Sequence, residues 1–218
     1  MSDDLLIERT LGGLHQDLIA HLPVIAKDAP ILDVGCGTGA WLHRLGGLGY
    51  SHLHGIDLDT AAFATDRATA ISANLDYDDL GLGHQTFKLI TAIELIEHLE
   101  NPGRLFHHVS KHLADDGVFL LTTPNIHSAL CRMRFFLTGN LKQFDAKGDP
   151  THIYPVLLTA LDRVLPRHGL AIIKRWHYPE AGSITSRLST RIAARVAGLV
   201  VPDPDPGDVL CLAIGRRV

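Results

Sequence analysis

The residues with types and spacing suited to chemistry fall in three groups. The first is Asp33, followed by glycines at 35, 37 and 39. Alternate glycines let a backbone turn sharply and leave room for a ligand to lie against it. A helix beginning near Ala40 would point free N–H groups into the same space. The Asp33 carboxylate, two residues ahead, suits an ammonium group. The second group is Asp57, about 20 residues past the glycine turn, where a carboxylate can accept from both hydroxyls of a ribose. The third is Glu94-x-x-Glu97-His98. On a helix starting near Glu94 these three side chains share one face at i, i+3 and i+4. That makes them candidates for a general base or for ligands of a divalent metal. His98 and the distant His152 are the candidate proton acceptors.

Two adenosine-type cofactors compete for the glycine turn. Gly35, Gly37 and Ala40 satisfy the dinucleotide pattern G-x-G-x-x-G/A. Asp33 with Gly35, Gly37 and Gly39 satisfies the S-adenosylmethionine pattern, an acid two residues before G-x-G-x-G. A diphosphate needs no carboxylate beside it, whereas a methionine ammonium is helped by one, so the second cofactor is favoured. The plain alternative is a tight strand-to-helix turn with no ligand.

The elements that must hold these groups follow from periodicity. Residues 4–22 carry Leu5, Leu11, Leu14, Leu18 and Leu22 at helical spacing, which predicts a helix within an N-terminal segment 1–29. Strands are predicted at 31–34, 52–56, 70–73, 87–93, 118–122, 170–177 and 208–216. Helices are predicted from Ala40 to about Leu45, from an Asp59 cap through an alanine-rich stretch to about Ala70, and over 103–113 and 156–165. Residues 125–155 carry little periodic signal beyond a short helix near 126–137, and they read as a substrate lid holding Arg132, Arg134, Lys142, Phe144, Asp149 and His152. Residues 184–200 read as an amphipathic helix with Arg187, Arg191 and Arg195 on one face. Its alternatives are packing on the domain or peripheral contact with an anionic membrane surface.

Composition sets limits. A chain of 218 residues suits one domain spanning 1–218. A net charge of −4 argues against a general nucleic-acid surface. No run of about 20 apolar residues is present, and Met1-Ser2-Asp3-Asp4 lacks a signal-peptide pattern. Three widely spaced cysteines fit reduced thiols and a cytoplasmic location.

Taken together, "ILDVGCGTGAWL", "GIDLD", "FKLITAIELIEHLENP", "DDGVFLLTTPN" and "GDVLCLAIGRR" resemble the class I S-adenosylmethionine-dependent methyltransferases. The likeness is to the bacterial group that includes ubiquinone-biosynthesis O-methyltransferase-like and MetW-like proteins. The resemblance implies an α/β fold, a Rossmann-like doubly wound sheet of seven mostly parallel strands with an antiparallel last strand. It implies S-adenosylmethionine as cofactor and a small-molecule methyl acceptor, with a hydroxyl as the accepting group. It assigns Asp33, Gly35, Cys36 and Gly37 to the methionine part, Asp57 and Leu58 to the ribose and adenine, and Asn74-Leu75 to the adenine amino group. Ile93 and Glu94 also face the cofactor. The family usually has Ala-Asp-Leu where this chain has Ala73-Asn74-Leu75, so the adenine role is shared between Asn74 and Asp76. Lys88 stands where the family usually has Asp. Glu94, Glu97 and His98 resemble a Glu-x-x-Glu-His element that holds a divalent cation in some relatives, which brings in Mg²⁺; His127 or His152 would complete such a site. Two other readings remain open, a non-catalytic cofactor-binding partner of another enzyme and a nicotinamide oxidoreductase.

Overall fold

Seven strands make one sheet in the order β3-β2-β1-β4-β5-β7-β6. The computed structural model describes residues 6–146, 148–185, 192 and 206–217. β1 (Ile31–Val34), β2 (Leu53–Asp57), β3 (Thr69–Ser72), β4 (Phe87–Ala92) and β5 (Leu113–Pro124) run parallel. β6 (Leu170–Tyr178) and β7 (Val209–Arg216) complete the sheet, with β7 inserted between β5 and β6 and antiparallel to both. β1 is buried along its whole length, as a central strand covered on both faces must be. One face packs Leu32, Ile90, Phe119 and Leu212 under α3 (Pro102–His112) and α5 (Leu158–Val164); the other packs Ile31, Leu89 and Leu120 with α1 (Leu14–Ala20) and α2 (Ala40–Gly47). α4 (Ala129–Thr138) follows β5, with Ser128 capping its first turn by accepting the Cys131 amide at 3.2 Å.

The strand order reverses between β1 and β4, and ligands of open α/β sheets bind beyond the strand ends at such a point. Register sets which side chains meet there. Asp33 lies beside Gly55 on one flank and Thr91 on the other. The N-terminal segment is drawn over the same edge: Trp176 Nε1 donates to Asp17 at 2.9 Å and the Tyr178 hydroxyl to Gly12 O at 2.8 Å.

Several expected elements differ. Among the described residues of 1–29 the helix covers only Leu14–Ala20, because residues 7–10 run across the glycine turn instead. The helix expected from Asp59 to Ala70 is absent. Asp59 accepts the Ala61 amide at 2.8 Å in a tight turn, and the Ala64 amide donates to Thr38 O at 3.0 Å, so tertiary bonds to the glycine loop outweigh alanine's helix propensity. β5 extends to Pro124, past the expected end. The expected helix at 184–200 lies outside the described residues except for 184, 185 and 192.

Candidate active site

The floor of the site is the turn after β1. Gly35 N and Cys36 N both donate to Ile56 O, at 2.7 and 3.0 Å, and Gly37 N donates to Asp57 Oδ2 at 2.7 Å. Gly35 has φ +80°, a conformation that disfavours any side chain, and a Cβ there would lie 2.8 Å from a Leu95 methyl, which would have to shift. Gly39, at φ +81°, starts α2 with Phe63 and Thr65 pressed against it.

Above this floor is a cavity of about 390 Å³. Asp33, Gly35, Cys36, Gly37, Asp57, Ile93, Glu94 and His98 line it. Asp33 is 2% exposed and accepts the Thr91 hydroxyl at 2.6 Å. Burial, with the Asp57 charge adding to it, pushes its carboxyl up to about 7 against the pull of the Thr91 hydrogen bond. A buried carboxylate beside a second carboxylate, with one hydroxyl as its partner, favours a cation nearby.

Three other expected cofactor residues lie outside this lining. Leu58 is exposed and Leu75 is buried in the core. Asn74 accepts the Asp76 amide at 2.9 Å, while Asp76 accepts the Glu100 and Asn101 amides at 3.1 and 2.7 Å. Both side chains of that loop are thus committed to shaping the approach to α3. Lys88 pairs with Asp116 away from the site.

A second cavity of about 230 Å³ adjoins the first and shares Arg9, Thr10, Glu94, His98 and Asp149 with it; Gln143, His152 and Val209 help complete its wall. Glu94 and Glu97 do not occupy one helix face, as expected, because Glu94 takes a left-handed φ of +49° and only a 3-10 turn, Ile96–His98, follows. Thr122 clamps Glu94, its hydroxyl accepting the Glu94 amide at 2.9 Å and donating to the carboxylate at 3.1 Å. Glu97 is wholly buried; the Thr123 hydroxyl donates to its Oε2 at 3.1 Å, and Oε1 has no hydrogen-bond partner among the described residues. Burial pushes Glu94 up to about 7, and burial together with the Glu94 charge pushes Glu97 well above the usual carboxylate range. His98 is held below its ordinary value, by burial first and then by His152.

Ligand atoms of Glu97, His98 and His152 come within 4.8 Å of one another. Glu94 is not in that group, and His127 is turned to the backbone of Val156 and Leu158. Sequence reading passes over Arg9, the one Arg or Lys lining either cavity among the described residues, and the hydroxyls of Thr91, Thr122 and Thr123 at the strand ends. The cue for the threonines is hydroxyl residues closing otherwise apolar strands at the sheet's ligand edge.

A family model described as methyltransferase domain matches residues 8–175. The chain belongs to this family. It is of the class I, S-adenosylmethionine-dependent type, with the seven-stranded sheet and antiparallel β7 that the class resemblance implied. Curated relatives include ubiquinone biosynthesis O-methyltransferases from Hydrogenovibrio crunogenus, 25% identical over 66% of this chain and 63% of that one, and from Glaesserella parasuis, 30% identical over 44% and 45%. The chain thus matches about half to two-thirds of their length. Similar solved structures are a SAM-dependent methyltransferase from Archaeoglobus fulgidus (TM-score 0.66, 17% identity, 94% and 93% covered) and the glycopeptide N-methyltransferase MtfA complexed with (S)-adenosyl-L-methionine (TM-score 0.62, 15% identity, 95% of each). These two share the fold with this chain. The family match favours the methyltransferase domain over the nicotinamide reading. No helix among the described residues is long and apolar enough to cross a membrane.

Proposed function

We propose that this chain transfers a methyl group from S-adenosylmethionine to a hydroxyl on a small molecule. The observation that carries this is the pair of adjoining cavities, one floored by the glycine turn and one walled by His98 and His152, which meet at Glu94, His98 and Asp149. The first cavity fits the cofactor. It offers a buried carboxylate at Asp33 for the ammonium, and Asp57 beside the turn for the ribose. Gly37 adds a backbone with nothing within 4 Å of where a Cβ would stand. Trp41 also lines the cavity, with its Nε1 unpartnered among the described residues. Arg9, which lines both cavities, is the candidate partner of the cofactor's carboxylate. S-adenosylmethionine supplies an electrophilic methyl on a sulfonium, so the protein's work is alignment, exclusion of water and removal of the acceptor's proton. His98 is the candidate base for that proton: it lines both cavities, and partial burial holds its ring below the ordinary histidine value, which favours the neutral form. The hydroxyl acceptor is argued from that base and from the named activity of the curated relatives.

A divalent cation also fits. Glu97 Oε1 is a buried, unpartnered acceptor among the described residues, and it stands with two imidazoles in one cluster. One carboxylate and two nitrogens suit Mn²⁺, Fe²⁺ or Zn²⁺ better than Mg²⁺, which prefers oxygen ligands. Glu97, His98 and His152 would hold it, and it would acidify a nearby hydroxyl.

The test is transfer of labelled methyl from S-adenosylmethionine to phenols, catechols and hydroxy acids, after treatment with a chelator and after addition of Mn²⁺ or Mg²⁺. Formation of S-adenosylhomocysteine with a labelled ether is the expected result. Failure to bind S-adenosylhomocysteine in calorimetry would overturn the reading. Binding without transfer to any acceptor would leave the protein a cofactor-binding partner of another enzyme.

A further inference from the structure

Two groups of Thr151 face the His98 ring. Thr151 Oγ1 lies 2.9 Å from His98 Nδ1, and the Thr151 carbonyl lies 3.2 Å from the same nitrogen. The Thr151 hydroxyl donates to Asp149 Oδ1 at 2.6 Å, and the Thr151 amide donates to that oxygen at 2.9 Å. A hydroxyl carries one proton, and here a carboxylate takes it. Thr151 Oγ1 therefore faces His98 with a lone pair, and the carbonyl can only accept. Nδ1 must be the donor. His152 repeats the arrangement, with its Nδ1 3.1 Å from Gln143 O, again an acceptor only.

We propose that Asp149, Thr151 and the Gln143 carbonyl are positioning groups that hold both imidazoles in the Nδ1–H form, so that each keeps the lone pair of Nε2 for the reaction centre. The proposal rests on the methyl-transfer reading for its use, but not for its geometry. A ring in the other tautomer would offer a proton where the acceptor must lose one, and could not ligate a cation through Nε2. The segment is built to hold these groups still. The Ile153 and Tyr154 amides both donate to Glu97 O at 2.9 Å, and Lys142 Nζ donates to Asp208 at 2.7 Å. Gln143 adopts φ +71°, a conformation that non-glycine residues seldom take and that surrounding structure must impose. Gln143 and Glu94 are the two non-glycine residues with positive φ among the described residues, and both line the second cavity.

The test is ¹⁵N spectroscopy of the histidine rings in the chain without cofactor or added metal, with His98→Gln and His152→Gln assigning the two rings. Both rings are expected with the proton on Nδ1 at neutral pH. Thr151→Val removes the nearer of the two acceptors facing Nδ1 and leaves the carbonyl at 3.2 Å, so it should raise the share of the Nε2–H tautomer of His98 and leave His152 as it was, and Thr151→Ser should restore the wild-type spectrum. Asp149→Ala frees the Thr151 hydroxyl to donate, and should shift His98 toward the Nε2–H form. In turnover, Thr151→Val should lower kcat about 10- to 100-fold with KM for S-adenosylmethionine changed less than about twofold. A wild-type His98 protonated on Nε2 would overturn the proposal. So would a Thr151→Val protein with an unaltered tautomer, or one with unaltered kcat. The spectra need neither cofactor nor acceptor, so a failed search for methyl transfer would leave the tautomer assignment standing.

Discussion

The cofactor floor and the acceptor wall adjoin, yet they are made differently. The floor is backbone: amides of Gly35, Cys36 and Gly37 bonded to the end of β2, on parallel strands whose register puts Thr91 beside Asp33. The wall is side chains: His98, His152, Asp149 and Thr151, carried by a 3-10 turn and by an irregular segment far along the chain from it. A floor of backbone tolerates few substitutions because its shape is the strand ends themselves. A wall of side chains can change its acceptor while the sheet stays as it is.

The largest expected effect breaks the floor alone. Gly35→Ala places a Cβ against Leu95 in a conformation alanine resists, and should weaken S-adenosylhomocysteine binding about 100-fold or more in calorimetry. The metal binding proposed for Glu97, His98 and His152 should be unchanged by it. Loss of both together would show that floor and wall are one unit.

Next is Asp33. An unfolded-chain aspartate ionises near 3.8, whereas Asp33 in the free protein ionises near 7. The folded state therefore binds the extra proton between these values, and stability falls as pH rises through that window. A bound ammonium favours the ionised form, so cofactor affinity should rise from about pH 6 to about pH 8. Asp33→Asn should abolish that rise and weaken binding at the upper end about tenfold. It should also stabilise the free protein there by about 2–4 kcal/mol in denaturant titrations. A mutant that keeps the wild-type pH profile would remove Asp33 from the cofactor site.

On the wall side, Lys142→Met cuts a largely buried ion pair with Asp208, which keeps its bonds from Ser183 and Thr185. A loss of about 1–3 kcal/mol is expected, with turnover reduced and S-adenosylhomocysteine affinity unchanged. Equal losses in both would show that the wall supports the floor.

The smallest effect lies away from both. His108 is buried with neither ring nitrogen bonded among the described residues. Burial, then the charges of Arg104 and His107, lowers it to about 4. Its contribution is whole above the unfolded value of 6.5 and is lost as pH falls toward 4. His108→Leu should narrow the gap between stabilities measured by urea titration at about pH 7 and about pH 5 by about 0.5–1 kcal/mol.

The same contrast decides what can be read from residues alone. Strand, glycine turn and helix are local, so Asp33 through Ala40 can be assigned from spacing, and Asp57 from its distance along the chain. Glu94, Glu97 and His98 are recognisable by type. Their arrangement is not, because φ +49° at Glu94 is held by Thr122 on a neighbouring strand. Asp149 is legible only as part of a lid, and Thr151 looks like a surface residue until the fold brings both to His98. The alanine-rich stretch after Asp59 misleads for the opposite reason, since its local preference is overruled by the glycine loop.

β7 lies between β5 and β6 and carries Asp208 just before its first residue. That threading has a consequence for biosynthesis. A chain leaving the ribosome shows β1 to β5, and with them the entire cofactor floor, well before the strand that fastens Lys142 has been made. The nascent protein is thus equipped to bind its cofactor before its acceptor wall is tied in place, and early cofactor capture would hold the parallel half of the sheet while the final strand finds its slot.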